Sequence, residues 1–211
     1  MKFFNSDVLS PKRIGVSLIG IFMVCVGVAF NNNTLFGNDP VGIVYDGLRT
    51  FLKLDHSQLG MVSNYMNVGL IIILFIFGRK YLNIGTILYL VPYGLFISIG
   101  SNLYPLIFNN DITIHRLLGA LIGTTLYYVG ISLFVASEIG MDPFNGLMLT
   151  IRDGFGWSIR KAKIIMDLVL ILIGILLGGK FGVITILTAL TTGPCIQILS
   201  QYFETKLYSK K

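Results

Sequence analysis

The chain has 211 residues, of which 54% are hydrophobic and only 12% are charged, and its formal net charge is +6. The apolar residues occur in blocks long enough to cross about 30 Å of hydrocarbon, which excludes a water-soluble globular fold. Contact with anionic lipid accounts for the positive charge, so nucleic acid is not expected as a partner.

Six apolar segments predict six transmembrane helices. In chain order they lie at residues 14–35, 58–78, 81–101, 116–137, 164–179 and 182–203. The first segment is too long to be the core of a cleavable signal peptide, and no small-residue cleavage site follows it. The sequence therefore predicts an all-α membrane protein with little chain left for a soluble domain.

The positions of the Lys and Arg residues predict how these segments are oriented. With a cytoplasmic N-terminus, 12 of the 16 Lys and Arg residues fall in cytoplasmic segments. The other four, Arg49, Lys53, Arg116 and Lys180, fall outside. We therefore expect a multi-pass protein with both termini in the cytoplasm.

Residues 13–49 are repeated without a gap 103 positions later, at residues 116–152. Ten positions are identical in the two copies, and in the first copy they are Arg13, Leu18, Ile19, Gly20, Val26, Gly27, Gly37, Asp39, Pro40 and Arg49. The seven-residue spacing of Gly20 and Gly27, and of Gly123 and Gly130, predicts a close crossing of the first and fourth spans.

Each copy contains three predicted spans, and an odd number of spans places the second copy in the membrane in the opposite sense. We therefore expect two inverted three-helix repeats, at residues 13–108 and 109–205, between a cytoplasmic tail (1–12) and a basic cytoplasmic tail (206–211). Inverted repeats are common in secondary transporters. Channels contain them too, and stable assembly alone would also account for them.

The most specific local pattern is Gly-x-Asp-Pro, which occurs at residues 37–40 and 140–143. In this pattern Gly can end one helix, Asp can cap the next one, and Pro suits the first turn of that helix. Short amphipathic helices are therefore expected at residues 41–54 and 144–155. They either lie in the membrane interface or re-enter the protein.

The acidic and proline residues of these turns allow two interpretations. Asp39 and Asp142, with Pro40 and Pro143, are either structural helix caps or parts of a substrate path. In a path, helix ends and carboxylates can hold a polar group or a cation. The two interpretations are compatible with each other.

Three polar residues inside the predicted spans complete the candidate substrate or ion-binding site. Asn64 and Asn67 share a helical face at i, i+3 spacing, and interhelical hydrogen bonds are the alternative role for both. Asp167 lies in the fifth span, where its carboxylate can bind a coupling cation or carry a proton. Lys163, one turn earlier on the same helix, is the residue that can neutralise it.

Two further sets of polar side chains lie within the spans. Thr185, Thr188, Thr191 and Thr192 form a stripe along the sixth span, which predicts close packing because Thr can bond to a carbonyl of its own helix. A pore lining is the alternative. Tyr127, in the middle of the fourth span, is expected to pack in the core rather than against a ligand.

The repeated motifs follow one order. Arg13 begins a helix containing Gly20 and Gly27, a Gly-x-x-Pro turn follows at 37–40, and Gly85-Thr86-Ile87-Leu88 comes two helices later. This order resembles the bacterial YczE/YyaS/YitT-type membrane proteins. The resemblance implies a protein of the bacterial inner membrane that is suspected of transport, and it names no substrate.

Several chemistries are absent from the sequence. It contains no Cys/His cluster with metal-ligand spacing, no phosphate-binding Gly-Lys-Ser/Thr loop and no nucleophile motif. We therefore expect neither an enzyme nor a bound cofactor or metal.

The expected function is that of a transporter-like protein that moves or binds a small polar solute or ion at the interface of the two repeats. Two alternatives remain open. One is a substrate-binding subunit that needs separate energising partners, and the other is a non-transport protein of membrane assembly or structure. The expected partners are the lipid bilayer and the solute, and a homo-oligomer or partner subunits remain open as well.

Overall fold

The computed structural model describes residues 10–208, and the regular structure of this part of the chain is helical throughout. The eight α-helices are α1 (Pro11–Thr34), α2 (Pro40–Phe51), α3 (Leu59–Phe77), α4 (Ile84–Ile107), α5 (Thr113–Ala136), α6 (Pro143–Phe155), α7 (Ile159–Leu176) and α8 (Val183–Tyr208). Short 3₁₀ turns, His56–Gln58 and Arg79–Tyr81, precede α3 and α4.

Five of the helical segments are long and apolar enough to cross a membrane. They are Pro11–Thr34, His56–Phe77, Ile84–Ile107, Thr113–Ala136 and Val183–Tyr208. The expected fifth span at 164–179 is not among them. It belongs to α7, which has only 18 residues and carries four charged side chains, at Arg160, Lys161, Lys163 and Asp167.

Helix ends differ from the expected span ends because hydropathy reports apolar length, whereas a helix continues until a turn stops it. α4 extends to Ile107, just before the Asn109-Asn110-Asp111 turn, and α8 extends to Tyr208. Residues 206–208 of the predicted basic tail are therefore helical. The rest of that tail, 209–211, and residues 1–9 of the predicted N-terminal tail lie outside the described residues.

α1 and α5 cross where glycine meets glycine. A Cβ on Gly20 would lie 2.7 Å from the carbonyl oxygen of Gly130, and a Cβ on Gly27 would lie 2.6 Å from that of Gly123. Residue numbers rise along α1 as they fall along α5, so the two helices are antiparallel. The glycine spacing predicted this crossing, in which the missing side chains allow backbone contact.

An arginine at the start of each of these helices caps the end of the other. Arg13 Nη1 donates to the carbonyl oxygen of Ser137 at 2.8 Å and to Glu138 Oε2 at 2.9 Å. Arg116 Nε donates to the carbonyl oxygen of Thr34 at 2.9 Å. Both guanidinium groups meet carbonyls that have no partner within their own helix, at the negative end of the helix dipole.

Of the remaining helices, the long ones α4 and α8 pack within their own half of the sequence, and the short ones α2 and α6 pack across the halves. α4 packs on α1, and α8 packs on α5. The short helix α2 packs mainly on α7, and the short helix α6 packs mainly on α3. Each short helix is therefore held by a long helix from the other half of the chain.

We expect Gly27→Ala to destabilise the protein by about 1–3 kcal/mol, the usual cost of overpacking. Its new methyl group would meet the backbone of Gly123 and Tyr127, which has no room to move. Gly15→Ala, in the same helix, is the matched control because a Cβ there meets nothing within 4 Å. Thermal unfolding of the two purified variants in detergent measures the difference. Equal midpoints would contradict a crossing that depends on glycine.

Candidate functional site

After α1 the chain turns back along the helix that it has just left. Asn38 Nδ2 donates to the carbonyl oxygen of Val28 at 3.0 Å. Val28 lies six residues before the last residue of α1, Thr34, which is about 9 Å of helix. α2 therefore begins at the depth of Val28 and not at the end of α1.

Both Asp-Pro pairs begin a helix, as the sequence predicts. Asp39 Oδ2 accepts from the Val41 N–H at 3.1 Å, and Pro40 is the first residue of α2. The second Asp-Pro pair, Asp142 and Pro143, begins α6 in the same way.

Asp142 Oδ1 accepts from the Asn145 N–H at 3.0 Å, and Asp142 Oδ2 accepts from Asn145 Nδ2 at 2.6 Å. Pro143 is the first residue of α6.

The short helices thus begin one residue before the expected starts, 41 and 144. The first of them ends at Phe51, three residues before the expected end at 54.

Each helix break is held by a threonine from the other half of the chain. The Asn38 N–H donates to Thr185 Oγ1 at 3.2 Å. Thr86 Oγ1 donates to the carbonyl oxygen of Met141 at 2.9 Å. The Thr-Ile-Leu stretch, at 86–88 and 185–187, and the Gly-x-Asp-Pro turn are distant in sequence. They are therefore the two sides of one contact, and that contact occurs twice.

A cavity of about 70 Å³ lies between the starts of α2 and α6. Asp39, Asp142 and Asp167 line it, and so does Lys163. Because a water molecule needs roughly 10–15 Å³ on this measure, the space is large enough for a small solute or a few waters. Three of the seven expected site residues thus share one cavity.

Asp167 is not a lone carboxylate. Lys163 Nζ donates to Asp167 Oδ1 at 2.6 Å, one turn away on α7. The Lys163 side chain is 36% exposed and the Asp167 side chain 9%. Pairing with Lys163 is the arrangement that the sequence left as the alternative.

Asp39 retains an unpaired oxygen. The residue is 2% exposed, and its Oδ2 atom caps α2 and lies 3.5 Å from the Tyr127 hydroxyl group. Asp39 Oδ1 has no hydrogen-bond partner, and neither has the buried hydroxyl group of Thr192, which also lines the cavity. A buried polar atom without a partner is costly, and Asp39 and Thr192 are the residues with such an atom that also line the cavity.

Asn64 and Asn67 do not line the cavity. Asn64 Oδ1 accepts from the Gly94 N–H at 2.9 Å and so joins α3 to α4. Asn67 Oδ1 accepts from the Tyr45 hydroxyl group at 3.0 Å. Both contacts are the interhelical hydrogen bonds that were the alternative role for these residues.

An aromatic wall completes the cavity. Tyr89 and Tyr93 from α4, Tyr127 from α5 and Phe144 from α6 all line it. Tyr127 was expected to pack in the core, and sequence reasoning missed Tyr89 and Tyr93 entirely. Their i, i+4 spacing on one face of a span is the signal that was available.

The C-terminal end of α2 is tied by a buried ion pair. Arg49 Nη2 lies 2.7 Å from Asp46 Oδ1, and the two side chains are only 8% and 2% exposed. Asp46 Oδ2 also accepts from the Lys180 N–H at 2.9 Å. This end of α2 is therefore fixed to the connection between α7 and α8.

The equivalent end of α6 is tied by exposed groups. Arg152 lies 103 positions after Arg49, and it donates to Asp153 Oδ1 at 2.6 Å and to the Tyr81 hydroxyl group at 3.0 Å. Lys80 also pairs with Asp153. Hydrogen bonds from Lys80, Tyr81 and Arg152 hold the pKa of the Asp153 carboxyl group well below its usual range.

We expect Arg49→Met to cost about 3–5 kcal/mol, because it leaves the buried Asp46 carboxylate without its partner. Arg152→Met, at the equivalent position in the other half, should cost much less because solvent screens the groups around it. Thermal unfolding of both variants in detergent measures the two losses. If the two variants lose equal stability, the burial of the Arg49 pair has no energetic consequence.

Comparison with known proteins supplies the family. Residues 11–201 match the model of a family of unknown function, DUF6198. The chain belongs to this family. No solved structure matches it.

Two relatives come from Bacillus subtilis. One, described as the uncharacterised membrane protein YczE, is 30% identical over 177 residues, which are 82% of this chain and 79% of the relative. The other, the uncharacterised protein YyaS, is 22% identical over 196 residues, which are 91% of this chain and 94% of the relative. The resemblance to YczE/YyaS-type proteins is thereby confirmed, and the chain is a membrane protein.

A third relative is an uncharacterised protein of Haemophilus influenzae. It is 31% identical over 116 residues, 55% of this chain, and the match spans about half of the relative, 52%. All three relatives are described only as uncharacterised proteins.

Proposed function

We propose that the chain transports a small polar solute or ion, and that its site is the cavity between the starts of α2 and α6. The observation that carries this proposal is that Asp39 and Asp142 line one cavity. They follow α1 and α5, which run in opposite directions. Two helix breaks that meet from opposite sides are the arrangement found at the substrate sites of many secondary transporters.

The proposal includes two inverted repeats. In the repeat, Gly123 is the counterpart of Gly20 and Gly130 is the counterpart of Gly27. If each glycine is replaced by its counterpart, the Gly20–Gly130 contact becomes the Gly27–Gly123 contact, and the reverse also holds. The contacts Arg13–Ser137 and Arg116–Thr34 are counterparts in the same way, because Arg116 corresponds to Arg13 and Ser137 corresponds to Thr34. Contacts that exchange in this way support a two-fold axis in the membrane plane.

In this arrangement α2 and α6 are re-entrant helices and α7 is a sixth span. The two polar residues of α7 that lie deepest, Lys163 and Asp167, line the cavity and neutralise each other. Arg160 and Lys161 are at the helix start, where a cytoplasmic surface accommodates them. The bias of Lys and Arg residues supports cytoplasmic termini, and the family resemblance supports the bacterial inner membrane.

The two tied ends provide a basis for alternating access. The Asp46–Arg49 pair is buried, so it closes the end of α2, whereas the cluster around Asp153 at the end of α6 is exposed. If the two repeats exchanged conformations, the end of α2 would become exposed and the end of α6 would become buried. Solute would then reach the cavity from one side at a time.

The transport proposal predicts flux through the purified protein. Liposomes that contain the protein should take up at least one of radiolabelled sodium, rubidium, methylammonium, chloride and phosphate faster than protein-free liposomes. Asp167→Asn should slow this uptake at least tenfold, because it removes a carboxylate from the cavity wall. Asp111→Asn, in an exposed loop, is the charge-matched control and should retain full uptake.

If none of these solutes moves faster than through protein-free liposomes, the transport proposal is wrong. Saturable binding of a solute without flux would instead favour the second candidate, a binding subunit that needs energising partners. The unpaired Asp39 oxygen in the cavity is the observation that keeps this candidate open.

The inverted arrangement predicts that equivalent positions face opposite sides of the membrane. Ser57 lies in the 3₁₀ turn that leads into α3, Arg160 lies at the start of the corresponding helix α7, and both are exposed. In intact cells Ser57→Cys should react with a membrane-impermeant maleimide, and Arg160→Cys should react only after permeabilisation. The parent chain, with its native Cys25 and Cys195, gives the background. Labelling of both positions from the same side would contradict the inversion.

A further inference from the structure

The charges around the cavity do not balance. Its wall carries three carboxylates, Asp39, Asp142 and Asp167, and one ammonium group, that of Lys163. Aspartates at this degree of burial, 2–7% exposed, need positive partners or hydrogen-bond donors to be tolerated. The imbalance favours a positively charged occupant.

The hydrogen bonds show which carboxylates already have partners. Both oxygens of Asp142 accept from Asn145, and Asp167 Oδ1 accepts from Lys163. Asp39 Oδ1 accepts from nothing. Among the fully buried atoms of the lining residues, this carboxylate oxygen and the Thr192 hydroxyl group have no partner, and an oxygen of either kind can coordinate a cation or accept a hydrogen bond from one.

Lys163 differs from the other charged groups of the wall in its freedom to move. Its side chain is 36% exposed, four times the 9% of the Asp167 side chain that it pairs with. A lysine ammonium group is a compact charge on a flexible stem, so it can move away from Asp167 without a change in the backbone. A monovalent cation that replaced it would leave the total charge of the wall unchanged.

We propose that the cavity binds a small monovalent cation between Asp39 and Asp167, and that Lys163 is a tethered competitor which occupies Asp167 when the cation is absent. The inference rests on the proposed function for its site and adds the substrate class. The cavity volume of about 70 Å³ suits a partly dehydrated Na⁺ or K⁺ ion or an ammonium ion, with one or two waters. Thr192 and the unpaired Asp39 oxygen supply ligands that the protein itself leaves unused.

The test is cation binding to the full chain in detergent, which needs no flux. Thermal unfolding is followed while NaCl, KCl, NH₄Cl or MgCl₂ replaces N-methyl-D-glucamine chloride at constant ionic strength. N-methyl-D-glucamine is the reference cation because it is too large for the cavity. A ligand that binds the folded state raises the unfolding midpoint with its concentration, and at least one small cation should do so saturably.

Lys163→Gln removes the competitor and should lower the apparent Kd of that cation about tenfold or more, the worth of one charged hydrogen bond. Arg160→Gln is the matched control because it removes an exposed positive charge from the same helix but does not line the cavity. Its Kd should stay within about twofold of the parent value, since solvent screens that charge.

Asp39→Asn should abolish the cation-dependent stabilisation. Asn caps helices about as well as Asp, so α2 keeps its first turn while the cavity loses a charge. Asp111→Asn again serves as the control and should respond like the parent.

Three results would overturn the inference. They are equal stabilisation by N-methyl-D-glucamine and the small cations, an unchanged or weaker affinity in Lys163→Gln, and tighter saturable binding of Mg²⁺ than of any monovalent ion. Cation binding without flux would leave the inference standing and remove the transport proposal. Flux of an anion without cation binding would overturn the inference and leave the transport proposal standing.

Discussion

The backbone contact between α1 and α5 is the constraint on which the rest of the molecule depends. Gly20 meets Gly130 and Gly27 meets Gly123 with no side chain between the helices. This distance allows Arg13 and Arg116 to reach the carbonyls at the opposite helix ends. It also brings the two chain reversals that follow α1 and α5 to the same cavity. A larger residue at any of these four positions would separate the two halves and the site together.

The cavity shows a local conflict between stability and function. A buried carboxylate oxygen and a buried hydroxyl group without partners make the fold less stable than a fully paired core would. The fold also keeps a lysine beside one of the three carboxylates instead of an apolar contact. Unpaired buried side-chain atoms also occur away from the cavity, for example at Ser17, Asn31 and Ser101, so they are not by themselves the mark of a site. What distinguishes Asp39 and Thr192 is that both residues also line a cavity that a ligand can enter.

Local chemistry explains which features could be predicted from the sequence. Both Asp-Pro helix starts were predicted correctly, because a cap and the first turn of a helix involve adjacent residues. The glycine crossing was also predicted, since the seven-residue spacing repeats on one helix face. α7 is not apolar enough to count among the membrane-crossing helices, because four charged side chains fall within its 18 residues. Hydropathy averages these charges and cannot show that two of them pair inside a cavity.

The composition of the cavity wall depends on tertiary packing and was predicted only in part. Asp39, Asp142 and Asp167 were selected because they are acidic residues at helix breaks or within a span. Depth alone selected Asn64 and Asn67 in the same way, yet their partners lie on neighbouring helices. Tyr89 and Tyr93 belong to a helix that carries no acidic residue, so only the packing of α4 reveals them as part of the wall.

The exchange of short helices between the two halves has a consequence for the origin of the chain. α2 is held by α7 and by Thr185, and α6 is held by α3 and by Thr86. Neither half can complete the packing of its own helix break. One copy of the repeat could satisfy every such contact as an antiparallel dimer of identical subunits inserted in both orientations.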